Sequence, residues 1–313
     1  MDNNNIDGPV IILAGPTAIG KTELSLQLAE NFNCEIISVD SMQVYKHMDI
    51  GTAKITMEER GRVVHHLIDI VDPNENYDAV RFTEDAIIAI RKIHLKGKVP
   101  ILAGGTGLYF KALIHGIFPG VPSNSKIRQK LIKRLNDEGV NVLHDELLLY
   151  DPLSASKIHI NDSHRVVRAL EVYQQTGKPL SSFLATEADN TNQIKFSKLL
   201  QIGLKCDRKT LYDRINLRTE IMIGSGLEKE VRVLLEMGYG RELKSMGSIG
   251  YRHMANFIFG EWTCEEMKTL LARDTRRYAK RQLTWFSKVK DINWIEVSNK
   301  GIVVKTIDKW LKN

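Results

Sequence analysis

The sequence predicts an α/β protein in which helices flank a parallel β-sheet and an all-helical domain is inserted into the chain. Three observations support this class. An apolar run at residues 10–14 leads directly into a glycine-rich loop, β-rich and helical segments then alternate to about residue 110, and residues 121–192 have an almost wholly helical pattern. Strands that alternate with helices in this way form parallel sheets.

The loop after the first predicted strand carries a phosphate-binding pattern. Its residues are Gly15, Pro16, Thr17, Ala18, Ile19, Gly20, Lys21 and Thr22. The glycines allow backbone N–H groups to face phosphate oxygens, Lys21 adds a positive charge, and the Thr22 hydroxyl can bind Mg²⁺ at the start of a helix. The sequence therefore predicts a pyrophosphate-binding loop on a core like that of the P-loop nucleoside triphosphatases.

The elements after this loop follow in the order that a parallel sheet requires. We predict helices at residues 22–32 and 79–95, and strands at residues 35–39, 66–71 and 99–103. Ligands of such sheets bind beyond the carboxyl ends of the strands. The phosphate loop, Asp40 and the segment from Gly104 to Thr106 each follow a predicted strand, so we expect them to converge on one crevice.

The pattern changes near residue 116, where glycines and prolines interrupt it. We predict a core domain from residues 1–120 and 198–313, and a helical insertion from residues 121–197. The first insertion helix is expected at residues 125–135 with Ser123 or Ser125 as its N-cap, and a polar stretch at residues 186–193 closes the insertion. Residues 199–204 then form a returning strand, helices continue to about residue 290, and a small strand is expected at residues 294–297.

The charge of the chain is unevenly distributed. There are 44 Lys and Arg residues against 38 Asp and Glu residues, which gives a net charge of +6 at pH 7. Residues 273–290 contain seven basic residues and a single acid, Asp274. A local basic stripe of this kind indicates a polyanionic partner.

Cysteine content and hydropathy limit the possible classes further. The three cysteines are too few and too widely separated for a disulfide framework or a zinc ribbon, and no apolar run approaches the length of a membrane span. We therefore expect a cytoplasmic protein with no membrane partner.

Three groups near the predicted crevice each have more than one interpretation. Asp40 is either a turn-forming residue or a carboxylate that organises Mg²⁺. The segment from Gly104 to Thr106 is either a tight turn into a helix or a second set of hydrogen-bond donors opposite Lys21. The pair at residues 65–66, two histidines, has no Cys or carboxylate at metal-ligand spacing, so we expect a structural role at a strand edge.

The basic stripe lies on a predicted helix at residues 274–289. One face of this helix carries Tyr278, Gln282 and Trp285, and the basic residues lie on another. The basic face is either simply solvated or binds a nucleic-acid backbone. A second basic group lies in the insertion, at residues 126–134 with Arg165 and Arg168, and the two groups together would form a clamp around the crevice.

Several segments resemble the signatures of the tRNA dimethylallyltransferase family, also called tRNA isopentenyltransferases. The matching segments are Gly-Pro-Thr-Ala-x-Gly-Lys-Thr at residues 15–22, Asp-Ser-Met-Gln-Val-Tyr at 40–45, Asp-Ile-Gly-Thr-Ala-Lys at 49–54, Gly-Gly-Thr-Gly-Leu-Tyr at 104–109, Asn-Asp at 161–162 with Arg-Val-Val-Arg-Ala-Leu-Glu at 165–171, Ile-Gly-Tyr-Arg at 249–252, and Tyr-Ala-Lys-Arg-Gln-Leu-Thr-Trp-Phe at 278–286. They occur in order over nearly the whole chain, which makes the resemblance specific.

The resemblance implies a prenyl transfer from dimethylallyl diphosphate to N6 of the adenine on the 3′ side of the anticodon, with release of pyrophosphate and no nucleotide hydrolysis. It implies that the phosphate loop holds the donor diphosphate with Mg²⁺ at Thr22, and that Asp40 accepts the N6 proton. By the same pattern, Arg218 contacts the diphosphate and Thr106 helps to position both substrates. The expected partners are dimethylallyl diphosphate and the anticodon stem-loop of tRNA, and the protein is expected to act as a monomer.

The resemblance also implies a set of tRNA-binding residues, to which the basic helix adds three. They are Asp40, Ser41, Met42, Gln43, Thr106, Arg128, His164, Arg165, Val166, Val167 and Arg168, with Arg277, Lys280 and Arg281 from the helix. The chain departs from the family pattern at His164, where the family has Gln. Imidazole lacks the two-sided amide pattern that suits an adenine edge, so that base contact does not transfer directly to residue 164.

Two other classes of function account for part of the sequence. A P-loop kinase of small molecules or nucleotides explains residues 1–120 and predicts ATP consumption, but it leaves the basic helix without a role. A non-catalytic RNA-binding module explains the charge, but it does not explain a complete phosphate loop beside Asp40.

Overall fold

The structure, a computed structural model, describes residues 5–116, 121–187 and 194–313. These residues group into two compact units. One unit contains the described residues up to Ile114 together with Ile194–Asn313, and the other contains those between His115 and Gln193. The first unit holds a β-sheet, whereas the second is built from helices.

The described residues of the first unit form one parallel sheet. Its strands are β1 (Asn5–Ala14), β2 (Cys34–Val39), β3 (His65–His66), β4 (Val99–Gly104), β5 (Lys195–Lys205) and β6 (Asn293–Glu296). Their spatial order is β3-β2-β4-β1-β5-β6, and every neighbouring pair is parallel. This sheet confirms the predicted α/β class.

Helices connect and cover the strands. In the sheet unit they are α1 (Lys21–Asn31), α2 (Met57–Arg62), α3 (Ala79–Leu95), α4 (Gly107–His115), α10 (Arg208–Gly224), α11 (Leu227–Glu236), α12 (Tyr251–Ile258), α13 (Cys264–Phe286) and α14 (Lys300–Lys312). In the second unit they are α5 (Ser125–Glu138), α6 (Val140–Tyr150), α7 (Pro152–Ala155), α8 (Ser163–Thr176) and α9 (Leu180–Glu187). Within the described ranges, none of these helices combines the length and apolar character needed to cross a membrane.

The central strands are buried on both faces, as parallel sheets require. All six residues of β2 and the last five of β1 are buried. The strand register pairs Ala14 with Gly104, and Gly104 in turn with Val39. The carboxyl ends of β1, β4 and β2 are therefore level, and the residues that follow them, Gly15, Gly105 and Asp40, emerge at the same edge of the sheet.

The predicted strand at residues 66–71 is wrong for most of its length, because β3 ends at His66. Leu67 and Asp69 have φ angles of 60° and 56°, which an extended strand does not allow. Asp69 instead accepts hydrogen bonds from Lys54 and Arg60, so this segment is held as an irregular loop by charged side chains.

The other predicted elements of the core are found with small shifts. The helix predicted at residues 79–95 is confirmed as α3, which Asp78 caps by accepting the N–H groups of Val80 and Arg81. The returning strand begins at Lys195 rather than at residue 199, because Lys195 pairs with Asn5 at the start of β1. The expected domain boundary after residue 197 therefore lies inside β5.

In the helical unit, α5 starts where it was predicted but has a different cap. Asn124 accepts the N–H groups of Lys126 and Ile127, whereas the Ser123 hydroxyl donates to the buried carboxylate of Glu171. The apolar core of this unit is formed mainly by Leu131, Leu143, Leu147, Val166 and Leu170. The polar stretch predicted at residues 186–193 lies largely outside the described residues.

Candidate active site

The phosphate loop joins β1 to α1 and is closed by its own lysine. Gly20 precedes the helix with a φ of 100°, a conformation that favours glycine. The Lys21 ammonium donates hydrogen bonds to the carbonyl oxygens of Gly15 at 2.9 Å and Pro16 at 2.8 Å. Burial lowers the pKa of Lys21 to about 7, with Arg218 adding to the shift and Asp40 opposing it. The loop thus places a lysine that gains or loses its proton near neutral pH beside the carboxyl edge of the sheet.

A cavity of about 320 Å³ opens beside this loop within the sheet unit. Its polar lining includes Lys21, Thr22, Asp40, Arg218, Tyr278 and Gln282, and its apolar lining includes Ile36, Ala53, Ile55, Ile68, Leu217 and Ile221. Gly104 and Gly105 also line it. The predicted convergence of the phosphate loop, Asp40 and the segment after β4 is therefore present in one cavity that has both a charged and an apolar part.

Asp40 forms the turn that was one of its two predicted interpretations. Its Oδ1 atom accepts the backbone N–H groups of Met42 at 2.9 Å and Gln43 at 3.3 Å, which is a local turn. No partner of Oδ2 is found in the described part of the chain, and the residue lines the cavity. The turn therefore fixes the carboxylate and leaves one oxygen for a ligand.

Thr106 connects the segment after β4 to the segment after β2. Its hydroxyl oxygen accepts the backbone N–H of Ser41 at 3.1 Å. The Tyr278 hydroxyl hydrogen-bonds with Thr106 and Gln282, and burial together with the charge of Asp40 raises the pKa of Tyr278 to about 12. Tyr278 is therefore a neutral hydroxyl in the cavity wall. Its helical spacing from Gln282 had indicated only a shared face.

Gln282 joins α13 to the phosphate loop and to the segment that follows β4. Its Oε1 accepts the backbone N–H of Thr17 at 2.9 Å, and its Nε2 donates to the carbonyl oxygen of Gly105 at 2.9 Å. A Cβ atom on Gly105 would lie 2.2 Å from Gln282 Nε2, so a side chain at residue 105 would displace the Gln282 amide. Sequence reasoning did not identify Gln282 as a site residue. The sequence signal that could have identified Gln282 was its place in the segment 278–286, which resembles a family signature.

Two arginines of α10 reach the phosphate loop and the opposite wall. Arg214 donates to the carbonyl oxygen of Ile19 at 3.0 Å, and Arg218 donates to that of Thr52 at 3.4 Å. Burial lowers the pKa of Arg218, with Asp40 opposing the shift, and a guanidinium remains charged in this range. Arg218 therefore brings a permanent positive charge to the cavity. Arg214 was not predicted as a site residue.

The wall formed by residues 49–54 is fixed by two charged side chains. The Glu230 carboxylate accepts the backbone N–H groups of Asp49, Ile50 and Gly51 at 2.7–3.1 Å. Lys54, whose side chain is 1% exposed, donates to Asp49 and Asp69 at 2.6 Å each. These contacts hold the loop that carries Thr52 and Ala53 against the cavity.

The other residues predicted from segment 40–45 are partly engaged within the protein. Gln43 accepts the Ser38 hydroxyl at 3.1 Å, and its amide nitrogen lies 3.4 Å from the carbonyl oxygen of Thr52. Ser41 and Met42 are half-buried. The backbone N–H groups of Ser41 and Met42 are both used within the protein, by Thr106 and Asp40.

The histidine pair lies at the sheet edge. His66 Nε2 is 2.8 Å from the carboxylate of Glu35, and His65 Nδ1 is 2.7 Å from the carbonyl oxygen of Val63. His65 also lines the cavity. His66 thus links the edge strand β3 to β2, whereas the His65 contact is local to its own segment.

In the helical unit, the predicted tRNA-binding residues fall into two groups. Arg128 and Arg168 both pair with the buried carboxylate of Glu171, at 3.2 Å and 3.0 Å. The side chains of Val166 and Val167 are buried in the core of this unit, so they support α8 from within. His164 and Arg165 are exposed. Among the predicted residues of α8, these two side chains are the most exposed, whereas Arg168 is half-buried.

The basic residues of α13 are exposed at the surface of the sheet unit. Arg277, Lys280 and Arg281 are all solvent-accessible. The Arg281 guanidinium lies 5.8 Å from the centre of the Tyr278 ring. The basic stripe therefore continues directly from a residue that lines the cavity.

Comparisons with known proteins identify the family. The family model described as IPP transferase matches residues 43–289. A tRNA dimethylallyltransferase of Desulfotalea psychrophila is 57% identical over 308 residues, which cover 98% of this chain and 97% of the relative.

Solved structures agree with this match. The tRNA isopentenylpyrophosphate transferase of Bacillus halodurans has a TM-score of 0.70 and 41% identity, covering 97% of each chain. A eukaryotic dimethylallyltransferase acting on tRNA has a TM-score of 0.75 and 32% identity, covering 93% of this chain and 74% of its own. The chain belongs to the IPP transferase family.

Proposed function

We propose that the chain is a tRNA dimethylallyltransferase, which transfers the dimethylallyl group of dimethylallyl diphosphate to N6 of the adenine 3′-adjacent to the anticodon and releases diphosphate. The observation that carries this proposal is the single cavity in which Lys21, Asp40 and Arg218 meet an apolar lining. Relatives of nearly the same length that are named tRNA dimethylallyltransferases support it. We expect the chain to act as a monomer in the cytoplasm.

The charged half of the cavity suits the leaving diphosphate. Negative charge grows on the diphosphate as the allylic C–O bond breaks. The loop N–H groups, the Lys21 side chain and the Arg218 guanidinium offer hydrogen-bond donors on that side, whereas the isoleucines and Ala53 suit a short branched hydrocarbon. Both parts of a prenyl diphosphate thus have complementary surfaces.

Asp40 is proposed as the proton acceptor for the attacking amine. Its Oδ1 is held by the turn, and its Oδ2 is left for the N6 group of the adenine. An exocyclic amine becomes acidic only as its bond to carbon forms, so an ordinary carboxylate suffices as the base. Thr106 and Tyr278 hold the segments on either side of this carboxylate and are proposed to position the base.

The oxygen donors present are compatible with Mg²⁺. Thr22 lines the cavity with its hydroxyl, Asp40 supplies a carboxylate, and the described residues hold no cluster of three or more His, Cys, Asp or Glu side chains at metal distance. Mg²⁺ typically binds one or two protein oxygens together with substrate phosphates. When bound, the ion would neutralise charge on the diphosphate, with Thr22 as its proposed protein ligand.

The tRNA is proposed to bind through exposed basic residues, which include Arg277, Lys280 and Arg281 on α13 and Arg165 on α8. The target adenine must leave its stack to reach Asp40, at a cost of a few kcal/mol that backbone contacts offset. The relatives reported above are named as transferases acting on tRNA, and none of them favours the kinase alternative.

The test is to incubate the protein with unmodified tRNA, dimethylallyl diphosphate and Mg²⁺ without ATP, to digest the tRNA, and to measure the nucleoside masses by mass spectrometry. We expect an adenosine heavier by one dimethylallyl group. Asp40→Asn is the matched variant, because it keeps the turn acceptor but loses the base, and we expect it to bind tRNA and form little product. ATP-dependent phosphorylation of a small acceptor, with no prenylated nucleoside, would favour the kinase class instead.

A further inference from the structure

The only acid of the basic stripe gathers three arginines around it. Asp274 Oδ1 lies 3.0 Å from Arg273 Nε and 3.6 Å from Arg277 Nη1, and Asp274 Oδ2 lies 3.2 Å from Arg252 Nη2. Arg252 comes from α12, whereas the other two arginines are on α13. One carboxylate thus brings together guanidinium groups from two helices.

This carboxylate is held from behind by a buried histidine. His253 is fully buried, and its Nε2 lies 3.2 Å from Asp274 Oδ2. Its Nδ1 accepts the backbone N–H of Gly250 at 3.4 Å, so Nε2 carries the proton that is donated to Asp274. Burial opposes ionisation of Asp274, but the hydrogen bonds from Arg273 and His253 outweigh it and hold the pKa of Asp274 below its ordinary value. Asp274 is therefore an ionised group in a fixed position.

The arginines retain donors for a further ligand. Each guanidinium has five N–H groups and contacts Asp274 through a single nitrogen. Their side chains are 47%, 42% and 62% exposed for Arg252, Arg273 and Arg277, and no other side-chain partner of these groups is found in the described residues. Three cations around one anion leave a local excess of two positive charges.

The cluster adjoins the candidate active site along α13. Asp274 and Tyr278 are one helical turn apart, about 6 Å along the axis, and Tyr278 lines the donor cavity. An RNA strand whose adenine enters this cavity would carry its neighbouring phosphates past the cluster. Arginine forks match the geometry of phosphate oxygens better than a point charge does.

We propose that Arg252, Arg273 and Arg277 form a binding site for a backbone phosphodiester of the tRNA, and that Asp274 and His253 are positioning residues for these arginines. This inference rests on the proposed function for the identity of the RNA. The carboxylate acts by preventing three like charges from separating, so that their free N–H groups converge on one phosphate.

The role of Asp274 can be tested by whether removal of its charge weakens or strengthens tRNA binding. A surface that attracts RNA only through net charge would bind more tightly when a negative charge is removed. If Asp274 instead positions the arginines, removal of its charge should weaken tRNA binding. We expect Asp274→Asn to bind an unmodified tRNA transcript about fivefold more weakly at constant salt, measured by fluorescence anisotropy. Dimethylallyl diphosphate binding should be unchanged.

Two further sets of variants complete the design. Asp308→Asn is the matched control, because within the described residues Asp308 pairs with Lys312 of the same helix, α14. This change should leave tRNA affinity unchanged. Arg252→Gln and Arg273→Gln affect exposed side chains, and their double variant should reduce the slope of log affinity against log salt by about 1. These variants decide the question if Asp274→Asn does not fold in a thermal unfolding assay.

The outcomes separate this inference from the proposed function. Unchanged or tighter tRNA binding by a folded Asp274→Asn protein, or an unchanged salt slope in the double arginine variant, would overturn the phosphate site. Formation of prenylated adenosine by the unaltered protein is measured separately. Weaker tRNA binding by the variants without any prenylated product would therefore refute the proposed function and leave the phosphate site standing.

Discussion

Gly51 and Tyr251 lie in direct contact, and the contact leaves no room for a side chain at residue 51. A Cβ atom on Gly51 would lie 2.4 Å from Cε2 of the Tyr251 ring. The Tyr251 hydroxyl donates to Glu230 at 2.6 Å, and the same carboxylate accepts the Gly51 N–H. Two separated sequence signatures, at residues 49–54 and 249–252, thus form one structural unit that holds the cavity wall.

We expect Gly51→Ala to destabilise the protein by about 1–3 kcal/mol, because the added methyl group must displace the Tyr251 ring or the loop. Since the loop carries Thr52 and Ala53 of the cavity, the KM for dimethylallyl diphosphate should rise as well. Urea unfolding and steady-state kinetics measure the two effects.

Gly61→Ala is the control, because no described atom lies within 4 Å of its Cβ position in α2. It should be neutral or stabilise by up to about 1 kcal/mol, and equal effects of the two changes would contradict the packing argument.

The core of this fold follows from local sequence. The apolar runs that end at Ala14 and Val39, with a helix pattern after each, predict parallel strands, and the parallel topology then brings Asp40 and Thr106 to the phosphate loop. The segment at residues 66–71 has equally good β-propensity. It is not a strand beyond His66, because ion pairs from Lys54 and Arg60 to Asp69 fix a different backbone.

The part of the site that sequence patterns did not identify depends on distant contacts. Gln282 and Tyr278 appear in the sequence as one face of a helix, and such a face ordinarily packs in a core. Only the position of α13 beside the phosphate loop turns that face into a cavity wall, with Gln282 bonded to Thr17 and Gly105. Local periodicity carries no information about that position.

A pH-dependent contribution to stability is expected from Glu35. Burial acts to raise the pKa of this carboxyl, but the hydrogen bonds from His66, Lys96 and Lys98 outweigh burial and lower it to about 2, against 4.5 ordinarily. Because the folded-state pKa is the lower one, the stabilisation is fully present above pH 4.5 and is lost as the pH falls toward 2.

Glu35→Gln should therefore reduce the free energy of unfolding by about 3 kcal/mol at pH 7, and by progressively less below pH 4.5. Urea titrations at several pH values measure this difference. Glu84→Gln, at an exposed position of α3, serves as the control and should show no such pH dependence. A Glu35→Gln deficit that stays constant from pH 7 to pH 3 would mean that the charge of Glu35 is not its source.

Donor binding should be coupled to proton uptake at Lys21. With a pKa of about 7 in the free protein, Lys21 is mostly neutral at pH 8, and a bound diphosphate would restore its charge. We expect nearly one proton to be taken up per dimethylallyl diphosphate at pH 8, where the diphosphate is already ionised. Calorimetric titrations in buffers of different ionisation enthalpy count these protons.

The variants for this experiment differ only in the position of the lysine removed. Lys21→Met should abolish the proton uptake and weaken binding, whereas Lys309→Met, at an exposed position of α14, should change neither. Proton uptake that persists in Lys21→Met would assign the titrating group elsewhere.

Gln282→Leu should impair donor binding more than tRNA binding. Leucine has a similar size but cannot accept the Thr17 N–H or donate to the Gly105 carbonyl oxygen, so two groups at the base of the cavity lose their partners. An unsatisfied buried polar group costs about 1–3 kcal/mol, and part of that cost falls on the shape of the phosphate loop. We expect the KM for dimethylallyl diphosphate to rise about tenfold or more, with a smaller change in the KM for tRNA.

Thr284→Ala provides the comparison on the same helix, because among the described residues the Thr284 hydroxyl bonds to the Lys280 carbonyl oxygen of its own helix. If Gln282→Leu lowered stability but left the KM for dimethylallyl diphosphate unchanged, Gln282 would be a packing residue and the loops would be ordered by other contacts.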